Sequence, residues 1–337
     1  MNTFAVIGAG SWGTTLAHLI HRNVRQVRVW AFEPEVIEGF RQSRRNLFFA
    51  TELLFEPHVT VLNDLRAVCE EAEAIVFAVP SKHLRTLARA AAPFISETAC
   101  ILNAAKGLEP GSGKRLSQVL AEELRPTASP DTDRIAVLSG PNLAHEVAAG
   151  KVGASVIASP DESVSTPLQH AVSAKSFRVY RHTDRTGVEL GGTLKNIFAI
   201  GAGIVEALEL GDNARAAYLT RALHELVRLG VRMGGRQSTF YGLAGLGDLM
   251  ATATSPLSRN HQFGKALALG TTEAFQAGHQ RMVVEGVETA RMAREWSKKL
   301  TIPMPITEEI CRVLFEGKSP REAARDLMSR SLKDEEE

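Results

Sequence analysis

The chain has 337 residues, 44% of them apolar and 23% charged, with 39 Lys and Arg against 38 Asp and Glu. That balance excludes disordered, collagen-like and coiled-coil chains, and the length allows two domains of roughly 100–200 residues each. A net charge of +1 argues against a dedicated nucleic-acid binder or a polybasic membrane binder, which needs a clustered basic excess.

Cys69, Cys100 and Cys311 are an odd count at wide spacings, suited to reduced thiols rather than to a disulfide framework or a zinc site. No apolar run approaches the ~20 residues of a membrane helix. The N-terminus lacks the basic region of a signal peptide and runs straight into a glycine turn. These features predict a cytoplasmic protein with no membrane insertion.

The first half alternates short apolar runs with helical periods. Phe4–Ile7, Val27–Ala31, Ala74–Val79, Ala99–Leu102, Ile135–Leu138, Ala154–Ala158 and Phe177–Tyr180 read as buried strands. Thr14–Arg22, Leu84–Ala92, Leu116–Leu124 and Leu143–Ala149 read as helices between them. Such alternation predicts βαβ units in a parallel, doubly wound sheet. Pro34 and Pro141 suit the first position of a helix. From Val188 onward no strand pattern is visible, only helical periods within 188–208, 214–233, 262–269, 287–299, 307–315 and 320–329. The expected organisation is an α/β dinucleotide domain over 1–187, an all-helical domain over 188–332 and a solvated acidic tail over 333–337.

Gly8-Ala9-Gly10-Ser11-Trp12-Gly13 follows the first strand and opens a helix, the context that gives a GxGxxG its meaning. Glycines let the backbone turn sharply and approach a pyrophosphate, which the helix N-terminus then attracts. Glu33 ends the second strand 33 − 13 = 20 residues after Gly13, where an acid can bond a ribose hydroxyl. A nicotinamide or a flavin dinucleotide fits this pattern. Lys106 follows the Ala99–Leu102 strand and Ser139-Gly140-Pro141-Asn142 follows Ile135–Leu138. Both stretches lie at carboxyl strand ends, where doubly wound sheets bind ligands, although a solvated lysine would look the same.

Along 188–208, Leu190, Leu194, Ile197, Phe198, Ile204, Val205 and Leu208 form one apolar helical face. Val188, Gly191, Gly192, Lys195, Ala199 and Ala202 form a second, bare except for Lys195. Interior glycines cost about 1 kcal/mol each, so close approach by another backbone or by a ligand is implied. Tyr241–Asp248 is a second glycine-rich loop ending in an acid, and Ser258-Arg259-Asn260 is a phosphate-recognition set. His145-Glu146 lacks the second histidine of a zincin, and no histidine spacing suits a metal.

Taken together, GAGSWGTTLA, VPSKHLR, AAKGLE, LSGPN, GVELGGTLKNIFAIGAGI, GLAGLGDLMATATSPLSRN and VVEGVETA are similar to the bacterial NAD(P)-dependent glycerol-3-phosphate dehydrogenases over about residues 4–332. The resemblance implies a Rossmann-like domain and a helical domain like that closing 6-phosphogluconate dehydrogenase. It also implies reversible reduction of dihydroxyacetone phosphate to sn-glycerol 3-phosphate with NAD or NADP, feeding phospholipid synthesis, by an enzyme for which a homodimer is one expected state. By resemblance Lys195 is the general acid and base, and Lys106, Gly140, Asn142, Asp248, Ser258, Arg259 and Asn260 contact substrate with it. Ser11, Trp12, Phe32, Phe49, Lys106, Ala144, Arg259, Val283 and Glu285 contact the cofactor.

Three features depart from the family. Phe32-Glu33 stands where Arg or His usually meets the 2′-phosphate of NADP, so NADH use is expected, with Arg41, Arg44 and Arg45 as alternative cations. Asn142 replaces a common serine, and Asn46–Thr51 replaces a Tyr-Leu-Pro stretch. Two other readings are a dehydrogenase of hydroxyacids or sugars and a non-catalytic dinucleotide sensor.

Overall fold

The computed structural model describes residues 1–124, 133–278, 284–332 and 334–335. Eight strands form one sheet: β1 (Thr3–Ile7), β2 (Gln26–Trp30), β3 (Val59–Leu62), β4 (Ala74–Phe77), β5 (Cys100–Asn103), β6 (Ile135–Ser139), β7 (Gly153–Ala158) and β8 (Phe177–His182). Their order is β3-β2-β1-β4-β5-β6-β7-β8. Chain order reverses between β1 and β4, which opens a crevice at the carboxyl ends of those strands. Both faces are covered by apolar layers, one holding Phe4, Val6 and Leu16 and the other Ala5, Ile7, Phe77 and Leu84. Burial on both faces explains why these strands read as unbroken apolar runs.

The sheet is not wholly parallel, contrary to expectation. β7 runs antiparallel to β6, with Val137 opposite Ala158 and Ser139 opposite Val156, and β8 is parallel to β7. The connection over 140–152 therefore leaves and re-enters the sheet at one end, as an antiparallel pair allows. It holds α6 (Ala144–Ala148) above the strand ends. Pro141 lies before this helix rather than at its first position, whereas Pro34 does begin α2 (Pro34–Ser43).

In the turn after β1, glycines do different work. A Cβ on Gly8 would meet the Ala78 carbonyl oxygen, and φ there is +115°. One on Gly13 would overlap the Gly8 carbonyl. A Cβ on Gly10 would meet nothing within 4 Å. The space beside Gly10 is thus open, and α1 (Ser11–Ile20) starts there with no side-chain cap and no acid in its first turn.

Between the remaining strands lie α3 (Leu65–Cys69), α4 (Ser81–Ala91), α5 (Leu116–Leu124) and α7 (Glu162–Val172). The helical part is built around α8 (Arg185–Ala207), with α9 (Asp212–Arg232), α10 (Gln237–Phe240), α11 (Asp248–Thr254), α12 (Arg259–Leu269), α13 (Thr272–Gly278), α14 (Glu285–Leu300), α15 (Pro305–Phe315) and α16 (Pro320–Met328). Contrary to the expectation that no apolar run reaches membrane length, α8 is long and apolar enough to cross a membrane; 94% of its apolar window is instead buried inside the protein. Its expected apolar face is buried except at Val205. Its bare face meets backbone: a Cβ on Gly191 would lie 2.6 Å from the Ala244 carbonyl oxygen, and one on Gly192 would overlap Ser139 Oγ. Gly203 and Gly264 bring α8 and α12 together in the same way, against the carbonyls of His261 and Ile200.

Two buried acids act as remote caps. Glu225 of α9 accepts from Ile306 N (2.5 Å) and Thr307 N (3.0 Å) at the start of α15. Glu189 of α8 accepts from Ser117 N (2.7 Å) at the start of α5 and pairs with Arg115 (2.9 Å), tying helical part to sheet. The tail is not wholly free, because the Glu335 carbonyl accepts from Arg221 at 2.6 Å.

Gly13→Ala should destabilise the fold by about 1–3 kcal/mol, as overpacking does, whereas Gly10→Ala should leave stability unchanged and weaken dinucleotide affinity. Urea denaturation and a fluorescence titration of both variants separate the two effects.

Candidate active site

Four elements meet at the carboxyl ends of the parallel strands. β5 leads into Lys106, β6 into Gly140 and Asn142, α8 carries Lys195, and α11 begins at Asp248. Tyr241–Asp248, expected as a loop, is helical in part: a π-helical turn over Leu243–Gly247 runs directly into α11. That geometry turns the Asp248 carboxylate into the protein, where it is 1% exposed.

Asp248 binds both lysines. Its Oδ1 accepts from Lys195 Nζ at 2.6 Å and its Oδ2 from Lys106 Nζ at 2.6 Å. Lys106 also donates to Asn142 Oδ1 (2.7 Å) and to the Gly140 carbonyl (3.0 Å). Gly140 has φ +138°, and a Cβ there would lie 2.9 Å from Ser155 Cα, so only glycine fits at this turn. Lys195 donates further to Thr252 Oγ1, one helical turn beyond Asp248. Lys195 is 5% exposed and does not reach past its neighbours to solvent. Burial lowers its pKa to about 8; Lys106 lowers it too, and Asp248 opposes both. The arrangement can hold an ammonium at neutral pH and release its proton without a large free-energy change.

Next to Lys195, Asn196 Oδ1 accepts from Asn260 Nδ2 at 3.0 Å, and Asn260 Oδ1 accepts from Gly286 N at 3.0 Å. Ser258 caps α12, its Oγ accepting from His261 N at 3.3 Å. Arg259 follows it, exposed and with no ion-pair partner among the described residues. Asn260 and Ser258 thus have structural bonds of their own, while the Arg259 guanidinium is available to an anion. Thr252 and Asn196 were not anticipated. The signals were present: Thr252 is four residues after Asp248, which is the same face once that stretch is helical.

The dinucleotide side is assembled around the glycine turn. Asn46, buried at 2% exposure, donates to the Ala9 carbonyl (2.8 Å) and Thr14 Oγ1 (2.9 Å), and accepts from the Phe48 and Phe49 amides (3.1 Å each). Phe49 is half-buried, and Phe32 is 72% exposed at the end of β2. Glu33 caps α2 by position only, with no side-chain bond. Trp12 packs edge-on against Phe177 at 6.3 Å, and the Ala144 carbonyl accepts from Thr15 of α1 at 3.5 Å. Glu285 accepts from Ser81 at the start of α4. Val283 lies outside the described residues. The open cradle at Gly10 and the bare first turn of α1 suit a pyrophosphate. Among the described residues no three His, Cys, Asp or Glu side chains converge as metal ligands.

The chain is similar to known proteins over nearly its whole length. Residues 3–165 match the family model for the NAD-dependent glycerol-3-phosphate dehydrogenase N-terminus, and 184–325 match that for its C-terminus. The glycerol-3-phosphate dehydrogenase [NAD(P)+] of Syntrophotalea carbinolica is 43% identical over 330 residues, 98% of each chain. That of Pelotomaculum thermopropionicum is 44% identical over 326 residues, 97% of this chain and 93% of its own. The crystal structure of the Coxiella burnetii glycerol-3-phosphate dehydrogenase superposes with a TM-score of 0.89 at 37% identity, covering 98% of this chain and 99% of that one. The chain belongs to the NAD-dependent glycerol-3-phosphate dehydrogenase family.

Proposed function

We propose that Lys195 is the general acid and base of this enzyme, acting in the cleft between a dinucleotide domain, residues 1–187, and a helical domain, residues 188–332. The reaction is the reversible, NAD(P)H-dependent reduction of dihydroxyacetone phosphate to sn-glycerol 3-phosphate, the oxidoreductase step that feeds glycerophospholipid synthesis. The observation that carries the assignment is the triad of buried Lys195 and Asp248 with half-buried Lys106.

A reduced nicotinamide, when bound beside this site, would supply the hydride that reduces the C2 carbonyl. The developing C2 oxyanion then needs a proton, and Lys195 holds one in a site shielded from water. Asp248 and Thr252 accept two of the three ammonium protons, which aims the third. Lys106, steadied by Asn142 and Gly140, adds a second cation beside the same oxygen. Arg259 binds the phosphate of the substrate, with Ser258 and Asn260 shaping the helix start beside it. In the reverse direction the neutral Lys195 amine takes the C2 hydroxyl proton. Gly8, Gly10, Ser11, Trp12 and Gly13 would hold the pyrophosphate side of the cofactor, and Phe32, Glu33 and Phe49 its adenosine side. We place the enzyme in the cytoplasm; α8, buried inside the protein, offers no membrane span.

The same reading extends to cofactor preference: NADH is used at least as well as NADPH. Arg44 donates to the carbonyls of Phe55, Glu56 and Val59, and Arg45 to those of Thr51 and Glu52. Arg41 pairs with Glu38 at 3.0 Å. These commitments leave Glu33, whose charge repels a 2′-phosphate, as the residue met at the end of β2.

Three outcomes follow. Lys195→Ala should lower kcat by about 10²–10⁴-fold with cofactor affinity unchanged, measured by steady-state kinetics and fluorescence titration. Reduction should decline, and oxidation of glycerol 3-phosphate rise, as pH passes through about 8; Asp248→Asn should move that midpoint down and Lys106→Met should move it up. Glu33→Arg should shift the ratio of kcat/KM for NADPH over NADH upward by about tenfold, the worth of one charge-assisted bond.

A further inference from the structure

α14 enters the active-site region by its first two residues, and both make contacts outside their own helix. Glu285 reaches to the start of α4, where Oε2 accepts from Ser81 Oγ at 2.7 Å and Oε1 from Ser81 N at 3.2 Å. Ser81 is buried and follows Pro80, which offers no side-chain cap, so its N–H is an unpaired helix-start donor that favours an anion. Gly107, directly after Lys106, makes the approach possible. With φ +133°, it would place a Cβ 2.8 Å from Glu285 Oε2 and 3.2 Å from Ser81 Cβ. The next residue, Gly286, donates to Asn260, which donates to Asn196 beside Lys195. A continuous line of polar contacts therefore runs from α4 of the dinucleotide domain to the residue adjoining the catalytic lysine.

We propose that Ser81 is a positioning residue for the dehydrogenase reaction: by holding the Glu285 carboxylate across the domain boundary it fixes the start of α14, and with it the placement of Asn260, Asn196 and Lys195 relative to the bound dinucleotide. The proposal rests on the assignment of Lys195 made above. Ser81 adds a second domain-registering contact to the Lys106–Asp248 bond, which crosses the same boundary.

The contact depends on charge, because only an ionised carboxylate accepts both Ser81 donors without a proton of its own in the way. Burial raises the Glu285 pKa, and the two Ser81 bonds counter this, as do the charges of Arg259 on α12 and Lys82 on α4. Lys106, next to Gly107, is engaged with Asp248. Removing the Ser81 hydroxyl therefore raises Glu285 further, so the carboxylate takes up its proton at a higher pH. Activity is then lost sooner as the solution is acidified.

The test uses the full-length enzyme and the variants Ser81→Ala, Ser81→Thr and Glu285→Gln, with kcat and KM for cofactor and for dihydroxyacetone phosphate followed from acid to alkaline pH. Ser81→Ala should lower kcat/KM for the cofactor about tenfold at neutral pH, as expected for one lost bond to a charged group. It should also displace the acid limb to higher pH, leaving the alkaline limb of Lys195 in place. Ser81→Thr should restore both the rate and the acid limb, and Glu285→Gln should abolish that limb. A Ser81→Ala profile that superimposes on the wild type overturns the proposal even where thermal stability falls, since a purely structural clasp would lower Tm alone. Loss of activity that Ser81→Thr fails to restore overturns it equally. Failure of the Lys195 assignment has a different signature, near-normal turnover in Lys195→Ala, and is read from that variant without reference to the acid limb.

Discussion

One buried carboxylate organises the site. Asp248 holds an ammonium on each oxygen, at 2.6 Å in both cases, while itself almost wholly removed from water. Withdrawing three charges from solvent is unfavourable, and their mutual attraction offsets that only while all three are present in good geometry. Loss of Asp248 would leave two ammoniums facing one another without a counter-charge, whereas loss of either lysine leaves a neutral pair. The excess of one positive charge is what a reaction passing through an oxyanion requires, because the site is completed electrostatically when negative charge appears on the substrate. The depressed pKa of Lys195 belongs to the same balance: burial and Lys106 act against its proton, and Asp248 retains it.

The fold supplies this cluster from four separate elements, each brought close by a local rule. Glycines on α8 and α12 let the helices touch backbone to backbone, which sets Lys195 and Asn260 at a fixed separation. The π-helical turn before α11 rotates Asp248 inward. Across the boundary between sheet and helices, acids bind the bare N-termini of helices on the other side, buried Glu189 at α5 and half-buried Glu285 at α4. Such contacts satisfy donors that a helix cannot satisfy internally and align the two halves by hydrogen-bond direction as well as by apolar packing.

Much of this was legible in the residues. The GxGxxG turn, the strand series and the long helical periods follow from hydrophobic spacing and glycine placement, and the lysines were found at strand ends and on a bare helix face. What escaped was short, edge-bound or fixed by tertiary contact. β3 is four residues long and mostly half-buried at the sheet edge, so it lacks the apolar run of its neighbours. α7 contains Pro167, which breaks a helical pattern on paper but sits in the helix here. Tyr241–Asp248 has three glycines in eight residues and reads as a loop; Leu243–Gly247 within it is helical, with the Ala244 carbonyl against Gly191 of α8. The antiparallel turn at β7 has no local signature, since a strand buried on both faces has the same composition in either direction. Thr252, Asn196 and Ser81 are ordinary polar residues whose significance lies in their partners.

The reversal between β6 and β7 has an evolutionary consequence. Because residues 140–152 depart from and return to the same rim of the sheet, that segment can lengthen, shorten or change composition without shifting any strand against its neighbour. The rim that carries Gly140 and Asn142 is therefore the part of this scaffold where new substrate preferences can arise by insertion and deletion while the pleated framework below is inherited intact.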